Sequence, residues 1–395
     1  MISEKMLALG KKSSAIRAIF EYGKKRKVEI GEENVFDFSL GNPSVCPPPV
    51  VNETIKKLIE EADLIDLHGY TSAPGDMDTR SAIGAYLART YGTDDTAENI
   101  YMTVGAAASL TITLGALVCK GDEVIVLAPY FPEYRVFAEH AGAKLCEVPC
   151  RAGDFQLDTQ ALSAAVNEHT KAIIVNSPNN PTGVVLSQES VKSLAQILSE
   201  KEKEYGHPIY IVSDEPYREL VYRGEAPYIP NYYNNTVSCY SFSKSLSLPG
   251  ERIGYICVSK RCVDWRELFF AVCGAGRALG FVCAPSLMQK VVPACLGKTA
   301  DTSIYDTNRK LLYNELTRYG YECVYPDGAF YMFVKAFEDD AGAFCEKAKE
   351  HELLLVPSDS FGVAGYVRIS YCVKTEQIER ALPAFCALAK DYGKI

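Results

Sequence analysis

The chain has 395 residues, of which 48% are hydrophobic and 23% are charged. This composition is typical of a large globular protein with two domains, or with one domain and an attached lobe. The formal net charge of −9 disfavours nucleic acid or an anionic membrane as a partner, because both modes of binding need a basic surface.

Targeting and metal-binding signals are weak in this sequence. No apolar run approaches the roughly 18 residues of a membrane span, and the first residues lack the charged-then-apolar plan of a signal peptide. We therefore expect a cytoplasmic protein whose fourteen cysteines stay reduced and pack as small hydrophobic residues. The five histidines are isolated from one another and from cysteines at metal-ligand spacing, so we expect no metal site.

Helical segments and turns alternate in the first part of the chain. The predicted elements are helices over 13–22, 52–61 and 78–91, a strand over 35–40 that ends in the turn at Gly41, and an irregular loop over 68–75.

From residue 100 onward, short apolar strands alternate with helices. The predicted strands span 100–104, 123–127, 171–176, 208–213 and 236–240, and the helices between them span 106–119, 133–140 and 187–205. Strands that are buried on both faces and separated by helices are typical of a mainly parallel α/β sheet flanked by helices. Ligands bind at the carboxyl ends of such strands, which is where the polar motifs described below occur.

The pattern changes after residue 285. The predicted elements are a long helix over 286–320, a strand over 328–335, a helix over 340–350, an apolar run over 353–356, a strand over 366–371 and a final helix. These elements indicate a smaller α+β lobe that packs with the N-terminal segment. We predict a large cofactor-binding domain over 46–285 and a small domain made of 1–45 and 286–395.

One lysine stands in an unusual context. Lys244 follows the β-prone run 237–240, lies among serines together with a phenylalanine and a leucine, and precedes Arg252 by eight residues. Partial burial in such a context would lower the pKa of the amine and favour its neutral form, which is the form that reacts with an aldehyde. The alternative is a lysine at a strand end that extends its ammonium group to water.

Three further motifs follow strands. Gly105, Ala106 and Ala107 open a helix, where free backbone N–H groups can bind an anion, although small residues also serve close packing. Asn180 lies in a polar turn that turn-forming residues alone would explain. Asp214 ends an apolar strand, which is a costly place for a carboxylate unless it meets a cation.

The ordered set of motifs resembles the class I aminotransferases, which are pyridoxal-phosphate enzymes of the aspartate aminotransferase fold. The motifs that carry this resemblance are Gly41-Asn-Pro, Tyr70, Gly105-Ala-Ala-Ala, Tyr130-Phe-Pro, Asn180-Pro-Thr-Gly, Asp214-Glu-Pro-Tyr, Ser241-Phe-Ser-Lys, Arg252 and Arg368. They extend over essentially the whole chain, with 34 residues from Asn180 to Asp214 and 30 from there to Lys244.

The resemblance implies a role for each residue around the cofactor ring. Lys244 would bind pyridoxal phosphate as a Schiff base. Asp214 would keep the pyridine nitrogen protonated, so that the ring accepts electrons from the substrate Cα. Tyr217 and Asn180 would donate hydrogen bonds to the ring oxygen, and Phe131 would stack on the ring.

The resemblance also implies a phosphate site and a substrate site. Arg252, the hydroxyls of Ser241 and Ser243, and the backbone of residues 105–107 would bind the phosphate. Tyr70 would reach the phosphate of a neighbouring subunit, which implies a homodimer. Arg368, an arginine that could otherwise be a surface charge, would hold the substrate α-carboxylate together with Asn180 and the backbone of Gly41.

The function that follows from the resemblance is transamination. The enzyme would move an amino group from an L-amino acid to a 2-oxo acid, with 2-oxoglutarate as the expected acceptor, by a ping-pong mechanism. A β-eliminating C–S lyase on the same fold is the alternative. A non-enzymatic regulator is a third reading, but it would need a DNA-binding domain, and the resemblance begins near residue 13.

The substrate side chain is not fixed by these motifs. Arg17 and Arg277 are candidates, by location only, for a second cation that would select dicarboxylates. The glycines of 274–280 approach a dinucleotide fingerprint, but they have one residue too many before the last glycine and follow a helical run, so we reject that reading.

Overall fold

The computed structural model describes residues 2–11 and 15–395, so the serine that was predicted to start the first helix, Ser13, lies outside the described residues. The helices are α1 (Glu4–Lys11), α2 (Ala15–Ile30), α3 (Pro49–Glu61), α4 (Leu64–His68), α5 (Met77–Tyr91), α6 (Ala106–Leu117), α7 (Glu133–Ala141), α8 (Thr159–Ala165), α9 (Gln188–Tyr205), α10 (Phe242–Ser245), α11 (Trp265–Ala278), α12 (Ser286–Cys295), α13 (Ser303–Arg318), α14 (Ala341–Lys349) and α15 (Thr375–Asp391). The strands are β1 (Phe36–Asp37), β2 (Ile100–Thr103), β3 (Glu123–Ala128), β4 (Lys144–Pro149), β5 (Thr170–Asn176), β6 (Tyr210–Asp214), β7 (Thr236–Ser241), β8 (Gly254–Val258), β9 (Tyr331–Lys335), β10 (Leu353–Leu354), β11 (Val356–Pro357) and β12 (Tyr366–Ser370).

The larger part of the chain is built on one seven-stranded sheet with the order β2-β8-β7-β6-β5-β3-β4. Strands β4, β3, β5, β6 and β7 pair in parallel, and β8 runs antiparallel to both of its neighbours. The central strands are rich in Val, Ile and Leu because helices cover both faces of the sheet. The prediction of a mainly parallel sheet flanked by helices is confirmed.

A smaller α+β part contains both chain ends. Strands β11, β12 and β9 form an antiparallel sheet, and the N-terminal strand β1 pairs in parallel with β10. Aromatic residues such as Phe330, Phe344 and Phe385 fill the core between this sheet and helices α13, α14 and α15. The predicted lobe made of the two chain ends is therefore present.

Several element boundaries differ from the sequence predictions. The strand expected over 35–40 contains only β1, because the Asp37 carboxylate accepts hydrogen bonds from the backbone and hydroxyl of Ser39 and turns the chain. The long helix expected over 286–320 is two helices, α12 and α13, and Gly297 in the segment between them has a φ of +75°. Strands β4 and β8 were not predicted from the sequence.

Helix α12 begins at the predicted domain boundary and packs on the larger part. Its residues Met288 and Val291 share a core cluster with Val51 of α3 and Ile83 of α5. Among the helices that the structure describes, none combines the length and the apolar character of a membrane span.

Gly254 at the start of β8 tests how closely the backbone segments that carry the motifs approach one another. A Cβ there would lie 2.3 Å from the carbonyl oxygen of Tyr240 and 3.1 Å from Cα of Gly105. We expect Gly254→Ala to lower the free energy of unfolding by about 1–3 kcal/mol, because backbone rather than a flexible side chain must move. Urea unfolding followed by circular dichroism measures the difference.

The matched control is Gly274→Ala on the exposed face of α11. A Cβ at this position meets nothing within 4 Å. Alanine should stabilise the helix by up to about 1 kcal/mol. Equal effects of the two substitutions would contradict the close approach at Gly254.

Candidate active site

The motifs meet in a cavity of about 800 Å³ at the carboxyl ends of β5, β6 and β7 and the N-terminus of α6. The predicted site residues that line it are Gly41, Ala106, Ala107, Phe131, Asn180, Asp214, Tyr217, Ser241, Ser243, Lys244, Arg252 and Arg368. Gly105 is the residue directly before α6 and next to the lining residue Ala106. Tyr70 is fully exposed and does not line the cavity of its own chain.

Lys244 lies in α10, the single helical turn that follows β7. The hydroxyl of Ser241 caps this turn by accepting a hydrogen bond from the backbone N–H of Ser243. Lys244 Nζ donates a hydrogen bond to the carbonyl oxygen of Gly41 at 2.7 Å. The pKa of Lys244 is lowered to about 8, mainly because the amine is buried; Cys372 opposes this shift, and the positive charges of Arg252 and Arg368 add to it. The amine is therefore neutral in a larger fraction of molecules near neutral pH than the amine of an ordinary lysine.

Asp214 is the last residue of β6 and is buried. Its Oδ2 accepts a hydrogen bond from the hydroxyl of Tyr134, whereas its Oδ1 is buried and has no partner among the described residues. The pKa of Asp214 is raised to about 7, mainly because the carboxylate is buried; the hydrogen bond from Tyr134 opposes this shift, and the charge of Glu215 adds to it. The carboxylate thus presents one unmatched oxygen, which a cationic N–H group would satisfy.

Arg252 and the residues around it are the candidate anion site of the cavity. Arg252 Nη1 donates to the hydroxyl of Ser243 at 3.4 Å and to the carbonyl of Pro249 at 3.0 Å. Gly105 has a φ of +91°, and a Cβ there would lie 2.7 Å from Arg252 Nη2. The glycine therefore leaves room for a guanidinium group beside the N-terminus of α6, which has no side-chain cap.

Arg368 enters the cavity from β12 of the smaller part. Its side chain is 2% exposed, Nη1 donates to Oδ1 of Asn180 at 3.0 Å, and Nη2 donates to the carbonyl of Ser39. Its Nε is buried and has no hydrogen-bond partner among the described residues. Burial lowers the pKa of Arg368, so a bound carboxylate would restore the stabilisation that the guanidinium loses on leaving water.

Three further residues in the cavity were missed by sequence reasoning. Tyr134 binds the Asp214 carboxylate, and Asn176 connects the Asp214 carbonyl with the backbone N–H of Asn180. The hydroxyl of Tyr331 lies 3.0 Å from that of Tyr217. Tyr134 and Tyr331 belong to a regular helix and a regular strand, and their positions in the sequence gave no sign of a polar role. The end of a strand was the available signal for Asn176.

The residues present fit pyridoxal phosphate in three respects. The unmatched oxygen of Asp214 suits a protonated pyridine nitrogen, and the amine of Lys244 lies in the same cavity for an aldehyde. The space that Gly105 leaves beside Arg252 and the α6 N-terminus suits a phosphate dianion.

Comparison with known proteins independently supports the resemblance that the motifs indicated. The family model described as "Aminotransferase class I and II" matches residues 33–385. A protein of Methanocaldococcus jannaschii named as a probable aspartate aminotransferase is 30% identical over 380 residues, which cover 94% of this chain and 96% of that protein. An aromatic-amino-acid aminotransferase of Thermococcus litoralis is 28% identical over 96% of each chain.

Solved structures are similar to this chain over nearly its whole length. A crystal structure of an amino transferase from Eubacterium rectale superposes with a TM-score of 0.98 at 56% identity, covering 100% of this chain and 99% of that one. Aspartate aminotransferase from Thermus thermophilus with maleate superposes with a TM-score of 0.87 at 26% identity, covering 98% and 100% of the two chains.

The lowered pKa of Lys244 predicts the pH dependence of its reaction with an aldehyde. In cofactor-free protein, the rate of imine formation with pyridoxal should rise with pH and level off above about 8, because the neutral amine then predominates. Absorbance of the imine measures this rate, and Lys244→Ala should abolish the signal. A rate that still rises as the pH approaches 10.5, the ordinary pKa of a lysine, would contradict the lowering of the Lys244 pKa by burial.

We expect the cofactor to bind more weakly when the hydrogen bond from Tyr134 to Asp214 is removed. Tyr134→Phe should raise the dissociation constant for pyridoxal phosphate about tenfold, since a hydrogen bond to a charged group contributes about 1.5 kcal/mol or more. Tyr130→Phe is the control, because its hydroxyl binds Glu147 instead of Asp214. Equilibrium dialysis measures both variants, and equal losses of affinity would remove Tyr134 from this role.

Proposed function

The chain belongs to the class I and II aminotransferases, and we propose that this cavity moves an amino group from an L-amino acid to a 2-oxo acid by means of pyridoxal phosphate. The family match confirms the resemblance that the motifs indicated. The observation that supports this proposal best is the shared cavity of Lys244, with its lowered pKa, and Asp214, with its unmatched oxygen.

Two groups of residues in the cavity suit two parts of the cofactor, its ring and its phosphate. We propose that Asp214 Oδ1 binds the ring N–H, that Tyr217 and Asn180 donate to the ring oxygen, and that Phe131 packs against the ring. Ser241, Ser243, Arg252 and the backbone of residues 105–107 would hold the phosphate. When bound, pyridoxal phosphate supplies an aldehyde that condenses with amines and a ring that acidifies the substrate Cα.

Lys244 is the proposed proton carrier. Once its amine is free, Nζ can accept the proton from the substrate Cα and deliver it to the former aldehyde carbon of the cofactor, which receives the amino group. A pKa of about 8 suits both steps, because the amine can exchange a proton near neutral pH in either direction. The carbonyl of Gly41, which accepts a hydrogen bond from Nζ, orients the amine in the absence of substrate.

Arg368 and Asn180 are the proposed clamp for the substrate α-carboxylate. Arg368 is held by Asn180 and by the backbone of Ser39, so its guanidinium is oriented before substrate arrives. Arg368 belongs to the smaller part and Asn180 to the larger part, so a carboxylate held by both residues would connect the two parts at the substrate.

The finer features of the proposal extend beyond this geometry. We propose 2-oxoglutarate as the acceptor, a ping-pong mechanism, and a cytoplasmic homodimer in which Tyr70 reaches the partner's phosphate site. We also propose a cofactor-binding domain over 46–285 and a small domain made of 1–45 and 286–395, with α12 packed on the former. The full exposure of Tyr70 is consistent with a contact outside its own chain.

A β-eliminating lyase would use the same lysine and the same clamp. The similar proteins named above are aminotransferases, which favours transamination. One assay separates the two activities. If a cysteine conjugate yields ammonia and pyruvate without an oxo-acid acceptor, the activity is β-elimination and the proposal of transamination is wrong.

Two substitutions test the proposed roles with an amino donor and 2-oxoglutarate. Lys244→Ala should lower turnover at least about 100-fold, because the proton carrier is lost. Arg368→Lys should raise KM for both substrates about tenfold, because a lysine cannot form two parallel hydrogen bonds with a carboxylate. Steady-state assays measure both effects, and parallel double-reciprocal lines are expected for the ping-pong cycle.

The control is Arg318→Lys, since this exposed arginine pairs with Glu315 on α13 and does not line the cavity. Undiminished turnover in Lys244→Ala would refute the role of Lys244. An unchanged KM in Arg368→Lys would remove Arg368 from substrate binding.

A further inference from the structure

Tyr331 in β9 lines the cavity and contacts residues from both halves of the proposed site. Its side chain is buried, and its hydroxyl lies 3.0 Å from the hydroxyl of Tyr217. The centre of its ring lies 4.6 Å from the guanidinium carbon of Arg368. A Cβ on Gly41 would lie 1.9 Å from the Tyr331 hydroxyl, so this hydroxyl packs directly against the backbone of Gly41. One side chain therefore connects the residue proposed for the cofactor ring oxygen with the residue proposed for the substrate carboxylate.

The backbone around Tyr331 is fixed within the smaller part. Strands β9 and β12 pair so that Tyr331 and Arg368 are diagonal neighbours on one face of the sheet. Ala329, two residues before Tyr331, has a φ of +52°, and its carbonyl accepts hydrogen bonds from the hydroxyls of Tyr222 and Tyr371. These contacts hold the turn that leads into β9, so the position of Tyr331 does not depend on a ligand.

The number of protons on the two hydroxyls decides the direction of their hydrogen bond. A tyrosine hydroxyl carries one proton and can also accept a hydrogen bond. If Tyr217 donates its proton to the ring oxygen, it can only accept from Tyr331. A donor that itself accepts a hydrogen bond donates more strongly, because each bond polarises the next. Tyr331 would therefore strengthen the contact of Tyr217 with the cofactor.

Both hydroxyls keep their protons near neutral pH and well above it. The pKa of Tyr331 is raised to about 12, mainly because the phenol is buried, and Arg368 opposes this shift. Burial also holds the pKa of Tyr217 well above its ordinary value. The pair therefore stays a chain of neutral donors while an imine in the same cavity gains or loses its proton.

We propose that Tyr331 is a positioning residue for both halves of the site. Its hydroxyl donates to Tyr217 and thereby strengthens the hydrogen bond of Tyr217 to the ring oxygen, and its ring holds the Arg368 guanidinium in the orientation that receives the substrate carboxylate. This inference rests on the proposed function, because it needs pyridoxal phosphate as the cofactor and Arg368 as the clamp. The hydroxyl and the ring of one residue then serve separate purposes, which different substitutions can separate.

The first test is a spectroscopic pH titration of the holoenzyme without substrate. The imine between Lys244 and the cofactor absorbs differently with and without its proton, so the spectrum gives the midpoint. Without the proton, negative charge lies on the ring oxygen, which a hydrogen-bond donor stabilises. Tyr331→Phe should therefore move the midpoint upward by about 0.3 to 0.6 pH units, since a second bond in a chain adds only part of the strength of the first. Tyr217→Phe should move the midpoint upward further, because it removes the first bond itself.

Two comparisons show whether the shift passes through Tyr217. In protein that already carries Tyr217→Phe, adding Tyr331→Phe should leave the midpoint unchanged. Tyr321→Phe is the matched control, because the buried Tyr321 hydroxyl donates to the carbonyl of Phe385 and Tyr321 does not line the cavity. This control should keep the wild-type midpoint.

The second test measures the binding of propionate, an unreactive carboxylate, to the same holoenzymes by calorimetry. Tyr331→Phe keeps the ring beside Arg368 and should leave the affinity for propionate unchanged. Tyr331→Leu removes the ring and should weaken binding about three- to tenfold, since a buried cation is stabilised by an aromatic face.

The outcomes distinguish this inference from the proposed function. If the wild-type holoenzyme forms the imine and transaminates, but Tyr331→Phe leaves the midpoint unchanged or lowers it, the role of the hydroxyl is wrong. An equal shift in the Tyr217→Phe background would also contradict that role. Propionate binding of equal strength in Tyr331→Leu and wild type would contradict the role of the ring. If the wild type forms no imine with Lys244 and catalyses no transamination, the proposed function fails and this inference fails with it.

Discussion

The structure depends on the burial of one carboxylate with an unmatched oxygen. Asp214 ends an apolar strand in the centre of the sheet, and water is excluded from its Oδ1. The cost of this burial appears as a pKa raised to about 7. Since Tyr134 donates only to Oδ2, Oδ1 still needs a hydrogen-bond donor, and a protonated ring nitrogen would supply one.

The same constraint explains the arrangement around the cavity. A ring bound at Asp214 needs a reactive amine and an anion site at fixed positions, and both follow from the turns after β7 and β2. Ser241 caps the turn that carries Lys244, and Gly105 makes room for Arg252 beside α6. Arg368 then brings the smaller part to the same cavity through its hydrogen bond with Asn180. The two parts of the fold thus meet at the point where substrate would bind.

The sequence predicted the parts of the site that depend on local pattern. Residues such as Lys244 and Asp214 stand at the ends of apolar strands, and parallel strands bring their carboxyl ends together at one edge of a sheet. Tyr134 and Tyr331 were missed because their roles depend on contacts with residues 80 and 114 positions away. The break between α12 and α13 was missed although Gly297, Thr299 and Asp301 between the two helices have low helical propensity. Strand β8 was missed because its apolar run is short and directly follows the motif around Arg252. Arg17 was a candidate by location only, and the lining by the rest of α2 required the tertiary structure, since the spacing of Ile16 and Phe20 is that of an ordinary amphipathic helix.

The most direct test of the arrangement is a crystal structure of the protein reconstituted with pyridoxal phosphate. Continuous density from Lys244 Nζ to the cofactor, with the ring nitrogen within hydrogen-bonding distance of Asp214 Oδ1, is the predicted result. A cofactor joined to another lysine, or a ring nitrogen that faces away from Asp214, would contradict it.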